Sequence, residues 1–178
     1  KDIRGPNSDT PDGRITNDDR EYISNHTNPT MNFGLSLGAA WKSFSVDALF
    51  QGVAGGKAMM HTNGRDIQGR AEESSFGYWA DSWSPENPNG KYPGWREENN
   101  YRTRYPESSF WLLDNSFVRL KNLNISYSLP QKLTSGLGIS NLRLFFTGTN
   151  LLMLYSGNSI YDPEVNNIRA YPMMKTYS

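Results

Sequence analysis

The strongest constraint on folding in this sequence is a two-residue alternation of apolar side chains with small or polar ones. It runs through residues 31–41 and resumes, after Lys42-Ser43, through residues 44–51. Successive side chains of a β-strand point to opposite faces of the sheet, so a period of two predicts strands that are apolar on one side. The sequence therefore predicts two strands here, joined by a short turn.

A two-residue hairpin turn at Lys42-Ser43 places the apolar residues of both strands on the same face. The cross-strand pairs would be Trp41 with Phe44, Ala39 with Val46, Leu37 with Ala48, and Leu35 with Phe50. A slip of one residue would send every apolar side chain of one strand to the other face, so the pattern specifies this register.

Further strands are predicted towards the end of the chain. The third runs from about Phe117 to Leu129, and the fourth starts at Asn141. Their apolar faces carry Leu123, Ile125, Tyr127 and Leu129 in the third strand, and Leu142, Leu144 and Phe146 in the fourth. Arg119 and Lys121 fall on the otherwise apolar face of the third strand, and we expect these two cations to reach lipid head groups. A fifth strand is predicted to begin within residues 173–177.

The connections between these strands alternate in length. A two-residue turn is followed by an irregular segment at 53–114, a short connection at 131–140, and a loop at 155–171. Outer-membrane β-barrels combine short periplasmic turns with long extracellular loops in this way. The pattern favours a membrane barrel over a soluble β-sandwich with one wet face, which would show the same alternation. Four or five strands do not close a barrel, so the rest of the sheet would be supplied elsewhere.

Composition excludes several other functions. The chain has no cysteine, which rules out disulfides, thiolate metal sites and a cysteine nucleophile. Its 18 basic and 18 acidic residues balance, so there is no basic footprint for nucleic acid. His26 and His61 lie in predicted loops without metal-ligand spacing, and no carboxylate pair indicates acid–base chemistry. We therefore expect a protein that is not an enzyme.

Aromatic residues of the long segment are the best candidates for binding substrate or a partner. The candidates are Tyr78, Trp79, Trp83, Tyr92 and Trp95. Their rings could stack on the apolar faces of sugars, or they could pack the loop on itself, because a long ordered loop needs its own apolar interior.

The apolar faces of the strands give a second set of candidates, which we expect to contact lipid. These residues are Phe33, Leu35, Leu37, Trp41, Phe44, Val46, Phe50, Leu123, Ile125, Tyr127, Leu142, Leu144 and Phe146.

Several stretches, taken together and in order, resemble the end of a SusC/RagA-type TonB-dependent transporter of Bacteroidetes. They are residues 29–41 (PTMNFGLSLGAAW), 44–52 (FSVDALFQG), 83–93 (WSPENPNGKYP), 109–130 (SFWLLDNSFVRLKNLNISYSLP) and 137–152 (LGISNLRLFFTGTNLL), followed by Asp162-Pro163-Glu164 and Tyr171-Pro172. Each stretch is weak alone, but the ordered set covers most of the chain and is specific.

The resemblance implies an all-β fold in which residues 1–178 are a carboxy-terminal portion: about the last five antiparallel strands of a 22-stranded transmembrane β-barrel with long extracellular loops. The plug domain, the TonB box and the earlier strands would lie outside this chain. The family works in the bacterial outer membrane, imports glycans or peptides with energy relayed by the TonB complex, and pairs with a SusD-like surface lipoprotein. The alternative is a secreted soluble β-sandwich that binds carbohydrate.

One departure from the family concerns a compact acidic loop that it often carries near the equivalent of residues 2–19. Asp12 and Asp19 keep the second half of an EF-hand-like spacing, whereas Ser8 and Thr10 occupy positions where acidic ligands are expected. A structural calcium at Asp12 and Asp19 is one interpretation, and a solvated acidic turn is the other. No other cofactor is indicated.

Overall fold

The computed structural model describes residues 3–14, 16–22, 27–68, 76–94, 102–104, 107–165, 167–168 and 170–178. Its strands are β1 (Met31–Trp41), β2 (Phe44–Ala54), β3 (Lys57–Met59), β4 (Asp66–Gln68), β5 (Arg102–Arg104), β6 (Leu112–Asp114), β7 (Phe117–Ser128), β8 (Arg143–Ser156) and β9 (Thr176–Tyr177). The short helices are α1 (Thr62–Arg65) and α2 (Gln131–Thr134), with 3-10 turns at Asn17–Asp19, Gly77–Asp81, Ser109–Trp111 and Ser135–Leu137. None of the helices in this described part is long and apolar enough to cross a membrane.

The principal element is an antiparallel five-stranded sheet with the order β1-β2-β7-β8-β9. Its first hairpin turns at Lys42, whose φ of 53° is the left-handed conformation that a tight two-residue turn requires. Trp41 pairs with Phe44, and Leu35 pairs with Phe50. The predicted register of this hairpin and the all-β fold class are therefore confirmed.

The apolar residues of four strands line up in rows across one face of this sheet, called the apolar face below. From the long-loop end to the short-turn end, the rows are Leu35, Phe50, Leu120 and Leu152; Leu37, Ala48, Leu123 and Gly148; Ala39, Val46, Ile125 and Phe146; and Trp41, Phe44, Tyr127 and Leu144. Leu37 is 53% exposed and Trp41 is 71% exposed. Within the described residues this face is therefore left open rather than covered by a second sheet.

A β-bulge in β7 interrupts the regular alternation. Leu49 of β2 lies opposite Asn122, and the next residue of β2, Phe50, lies opposite Leu120. Lys121 is thus an extra residue with no counterpart in β2, which is the defining feature of a bulge.

The bulge changes the faces on which two charged residues lie. Leu120 joins the apolar face, whereas Arg119, opposite Gln51, lies on the other face. Both Arg119 and Lys121 reach carboxylates of the segment that follows β8. The prediction that these cations sit on the apolar face and meet lipid head groups is wrong, because a strict period of two does not account for the extra residue.

The segment between residues 53 and 114 was predicted to be irregular, and it contains regular structure instead. β2 continues through Ala54, β3 pairs with β6, and β4 pairs with β5. Strands of three residues are too short to show a period, which is why the sequence pattern does not reveal them.

Predicted boundaries near the end of the chain also differ from the structure. β8 begins at Arg143 rather than Asn141 and continues through Ser156, so Tyr155 belongs to a strand and not to the predicted loop. Leu129 and Leu142 lie just outside their strands, joined by a hydrogen bond of 2.9 Å from the N–H of Leu129 to the carbonyl of Leu142. The last strand is confined to Thr176–Tyr177.

Candidate functional site

An aromatic cluster forms the centre of the long loop between β2 and β7. This loop core consists of Met60, Trp79, Tyr92 and Trp111, all of them buried. The ring centre of Trp79 lies 5.6 Å from that of Tyr92 and 5.7 Å from that of Trp111, with tilted planes. Such aromatic contacts are favourable beyond the area they bury, so the cluster supplies the interior that orders the loop.

Three of the predicted binding residues, Tyr78, Trp79 and Tyr92, are brought together by this packing. The hydroxyl of Tyr78 donates to the carbonyl of Gly64, and its ring centre lies 5.1 Å from that of Tyr92. Burial raises the pKa of both phenols, so they stay protonated at neutral pH. Trp79 and Tyr92 have little ring surface left for stacking on a sugar. This favours the packing interpretation, and contact with substrate or partner stays a prediction.

Trp83 differs from the other aromatic candidates because it is 51% exposed. Its backbone N–H donates to the carbonyl of Tyr92 at 2.8 Å, which ties its position to the loop core. Trp83 is therefore an available contact residue on a fixed backbone, and its role stays a prediction. Trp95 and His26 lie outside the described residues.

Four charged side chains form an ion cluster on the face opposite the apolar face: Arg119, Lys121, Asp162 and Glu164. Arg119 Nη2 lies 2.6 Å from Asp162 Oδ2, and Arg119 Nη1 lies 3.1 Å from Glu164 Oε2. Lys121 Nζ lies 2.5 Å from Glu164 Oε1. The side chain of Arg119 is only 4% exposed, so its charge is compensated within the protein rather than by water.

Asp162 is the centre of the hydrogen bonds that close the loop after β8. Burial alone raises the pKa of its carboxyl, but hydrogen bonds from Arg119 and from the N–H groups of Glu164 and Met173 outweigh that effect and hold the pKa below its ordinary value. The contact with Met173 spans 11 residues. One carboxylate thus fastens the loop both to β7 and to the segment that leads into β9.

A second network joins three loops at the same end of the sheet. Asn115, 5% exposed, accepts hydrogen bonds from Asn158 Nδ2 at 3.3 Å and from the Tyr161 hydroxyl at 3.1 Å. The N–H of Asn115 donates to the carbonyl of Gly56. Burial raises the pKa of Tyr161, which keeps this donor protonated. The network fixes the segment after β8 against the ends of β3 and β6.

A cavity of about 320 Å³ lies between the loop core and this fixed segment. Its lining consists of Met60, Lys91, Tyr92, Phe110, Trp111 and Leu113 on one side, and Ser156, Gly157, Asn158, Ser159 and Ile160 on the other. The volume falls at the lower end of the range of small-molecule sites. Residues 20 or more positions apart in sequence meet here, which no local pattern reveals.

The acidic turn near the start of the chain is organised by Asp19. Its carboxylate accepts the N–H groups of Thr16, at 2.7 Å, of Ile3, at 2.7 Å, and of Arg4, at 3.0 Å. These backbone hydrogen bonds lower the pKa of Asp19 to about 2. Asp12 accepts the N–H of Arg14 at 2.9 Å. The carboxylates of Asp12 and Asp19 thus accept backbone N–H groups of this turn, and calcium binding stays a prediction.

The predicted lipid-facing residues, apart from Leu142, all lie on the apolar face. Leu142 directly precedes β8. Contact of these residues with lipid stays a prediction. Among the residues that the structure describes, no group of three or more His, Cys, Asp or Glu side chains is placed to hold a metal.

Comparison with known proteins gives two curated relatives and several structures. The chain is 31% identical over 156 residues to TonB-dependent receptor P26 of Formosa agariphila, and 32% identical over 157 residues to TonB-dependent receptor P3 of the same organism. These alignments cover 88% and 86% of this chain but only 15% and 14% of the relatives. The chain thus spans about one-seventh of the length of these relatives. No protein-family model matches it.

The similar structures are those of the RagAB peptide importer. The alignment with the open-open state includes 98% of this chain and has a TM-score of 0.66 at 24% identity. The alignment with the closed-closed state includes 92% of this chain and has a TM-score of 0.65 at 26% identity. A further RagAB peptide transporter structure gives a TM-score of 0.63 at 26% identity over 87% of this chain. The chain covers less than a fifth of each of these structures.

The open antiparallel sheet, with one apolar face and long loops at one end, defines an all-β segment that resembles the barrel of an outer-membrane transporter. The named relatives and the RagAB structures make the assignment more specific. Together, the relatives and the structures support the identification of this chain as similar to a segment of a SusC/RagA-type TonB-dependent transporter.

Proposed function

We propose that this chain supplies part of the wall and outer loops of an outer-membrane transporter that imports oligomeric nutrients. The observation that carries the proposal is the apolar face. β1 and β2 have 11 residues each, about 36 Å of strand at roughly 3.3 Å per residue. At a tilt near 45°, this length crosses an apolar band of about 25 Å, as in outer-membrane barrels.

The proposed transport is energised through the TonB complex, and the proposed partner is a SusD-like surface lipoprotein. Two similar proteins are named TonB-dependent receptors, and the similar structures are those of the RagAB peptide importer. Glycans and peptides are both candidate substrate classes. The alternative of a soluble carbohydrate-binding sandwich has less support, because the apolar face is open among the described residues.

Uptake by cells that carry the complete transporter tests this function. A variant that lacks residues 62–108 keeps the β3–β6 pair and the sheet but removes most of the long loop. We expect it to assemble in the outer membrane, to take up less labelled oligosaccharide or peptide, and to copurify less lipoprotein. Uptake by the unaltered protein should also stop when the proton-motive force is dissipated.

The control is Lys132→Ala, an exposed residue of α2 at the other end of the sheet, which should leave uptake unchanged. Unchanged uptake and unchanged lipoprotein association in the loop-deleted variant would contradict the role of the loop. Uptake that persists without a proton-motive force would contradict the transport mechanism itself.

A further inference from the structure

The cavity between the loop core and the segment after β8 combines an apolar floor with a single cation. Met60, Trp111, Leu113 and Ile160 contribute apolar surface to its lining. Among the described lining residues, Lys91 is the one charged side chain, and it is exposed. The lining residues that the structure describes include one ammonium group and no carboxylate, which complements a ligand that is apolar and carries a negative charge.

Phe110 supplies a preformed wall of this cavity. Its ring is 48% exposed, yet it is held edge-on against Trp111, with ring centres 4.7 Å apart and planes at 88°. It also meets Tyr92 edge-on, with ring centres 6.0 Å apart. A ring fixed in this way offers apolar contact to a ligand at little further cost in conformational entropy.

The opposite wall is fixed as well. The Asn158 side chain donates to the carbonyl of Asp114 at 3.1 Å and accepts the N–H groups of Ile160, at 3.2 Å, and Tyr161, at 3.3 Å. Asn158 is therefore committed to holding the wall rather than to meeting a ligand. A sugar site would need several convergent polar groups beside the exposed ring of Phe110, and the side chain of Asn158 is already engaged by the wall.

We propose that this cavity is a subsite for a peptide segment in which a hydrophobic side chain is followed by an acidic one. The hydrophobic side chain would lie against Phe110 and the apolar floor, and the carboxylate would meet the ammonium group of Lys91. This proposal rests on the proposed import function and narrows its substrate to acidic peptides.

Binding of three capped pentapeptides to the purified complete transporter tests the subsite. The probes are Ala-Ala-Phe-Asp-Ala, its neutral counterpart Ala-Ala-Phe-Asn-Ala, and Ala-Ala-Ala-Asp-Ala, each measured by calorimetry at low and high salt. For the unaltered protein, the change from Asp to Asn should weaken binding about threefold to tenfold, and less so at high salt. The change from Phe to Ala should weaken binding about tenfold.

The protein variants assign these losses to residues. In Lys91→Met the Asp and Asn peptides should bind equally, and in Phe110→Ala the Phe and Ala peptides should do so. Lys132→Met is the matched control on an exposed lysine of α2, and it should retain both preferences. Because each variant is judged by a difference between two peptides, a general loss of folding is recognised separately.

Equal affinity of the unaltered protein for all three peptides would overturn the proposal. So would a preference for the Asp peptide that survives in Lys91→Met, or displacement of the Asp peptide by a neutral oligosaccharide such as maltoheptaose. If the peptides show no preference while cells still import nutrients through TonB, the subsite alone is wrong. If no TonB-dependent import of any kind is measured, the proposed function fails, whatever the peptides do.

Discussion

The Arg119 guanidinium is buried on the sheet and meets two carboxylates from a segment that follows much later in the chain. Asp162 lies 43 residues beyond Arg119 in sequence, and their side chains are 9% and 4% exposed. The guanidinium also lies 5.7 Å from the ring centre of Phe117. A buried charge is costly unless it is paired, so each partner constrains the position of the other. The Arg119–Asp162 pair is therefore one of the contacts that hold the segment after β8 on the sheet.

Replacing Asp162 by Asn in the complete protein should loosen that segment. The change leaves the Arg119 charge with Glu164 as its remaining carboxylate, and we expect the free energy of opening residues 158–173 to fall by about 3 kcal/mol. Native-state hydrogen exchange measures this. Asp9→Asn is the matched control, because Asp9 pairs with Arg4 at 3.5 Å while its side chain is 96% exposed. The Asp9→Asn control should change the free energy of opening residues 158–173 by less than about 0.5 kcal/mol. Equal protection in both variants would contradict the role of the buried pair.

Acid should loosen the same segment. A carboxyl whose pKa is lower in the folded state than in the unfolded state stabilises the fold above the unfolded pKa, and this contribution is lost as the pH falls through the folded pKa. For Asp162 the ordinary value is 3.8, and the folded pKa lies below it. The protection of residues 158–173 that depends on Asp162 should therefore be constant from pH 7 to about 5 and decline below about pH 4. The difference from Asp162→Asn should shrink in that same window. A difference that stays constant down to pH 2.5 would exclude this linkage.

At the scale of the element, the bulge in β7 sets the faces of the residues before it. Lys121 is the extra residue relative to β2, so its removal should join Leu120 to Asn122 and keep the faces that these two residues have in that pairing. Removing Asn124 instead should move Leu123 to the polar face and Asn122 to the apolar face. We expect the Lys121 deletion to assemble nearly as well as the unaltered complete protein, and the Asn124 deletion to assemble several-fold less. The heat-modifiable fraction on gels reports assembly. If both deletions reduced the assembled fraction equally, the bulge would not be the site at which β7 tolerates a change in length.

The strands β1, β2 and β7 show what a sequence pattern can and cannot reveal. Trp41, Leu37 and their partners in β2 follow a strict period of two. A register shifted by one residue would place the apolar side chains of one strand on the polar face, so the pattern specifies the pairing. The sequence pattern assigns Arg119 to the wrong face of the sheet, because the one extra residue of the bulge shifts the alternation and cannot be recognised in the sequence. A signal did exist: two cations in β7 match two acids in Asp162-Pro163-Glu164. Charge spacing alone, however, does not show which segments meet.

At the scale of the whole molecule, the sheet is predictable and the loop assembly is not. The loop core joins Met60, Trp79, Tyr92 and Trp111, which belong to segments with no common period. Its contacts depend on chain closure over long distances, and the three-residue strands β3 and β6 that hold its ends carry no pattern of their own. The sequence therefore identifies the aromatic residues of the loop as candidates for binding or packing, but only the folded structure shows that Trp79, Tyr92 and Trp111 pack against one another.

Arginine substitutions on the two faces of β1 test whether the apolar face meets lipid. Leu37 lies in a middle row of that face, and the neighbouring Ser36 points to the other face. In the complete protein, Leu37→Arg should destabilise the barrel by about 2 to 4 kcal/mol, because an arginine near the bilayer midplane must leave water. Ser36→Arg adds the same side chain one residue away, towards the interior of the proposed barrel, and should cost much less. Both variants are refolded into lipid vesicles, and urea titration of the tryptophan fluorescence gives the free energies of unfolding. The reverse order, or equal losses, would show that hydrocarbon does not cover the face that carries Leu37, and the membrane assignment of the sheet would then be wrong.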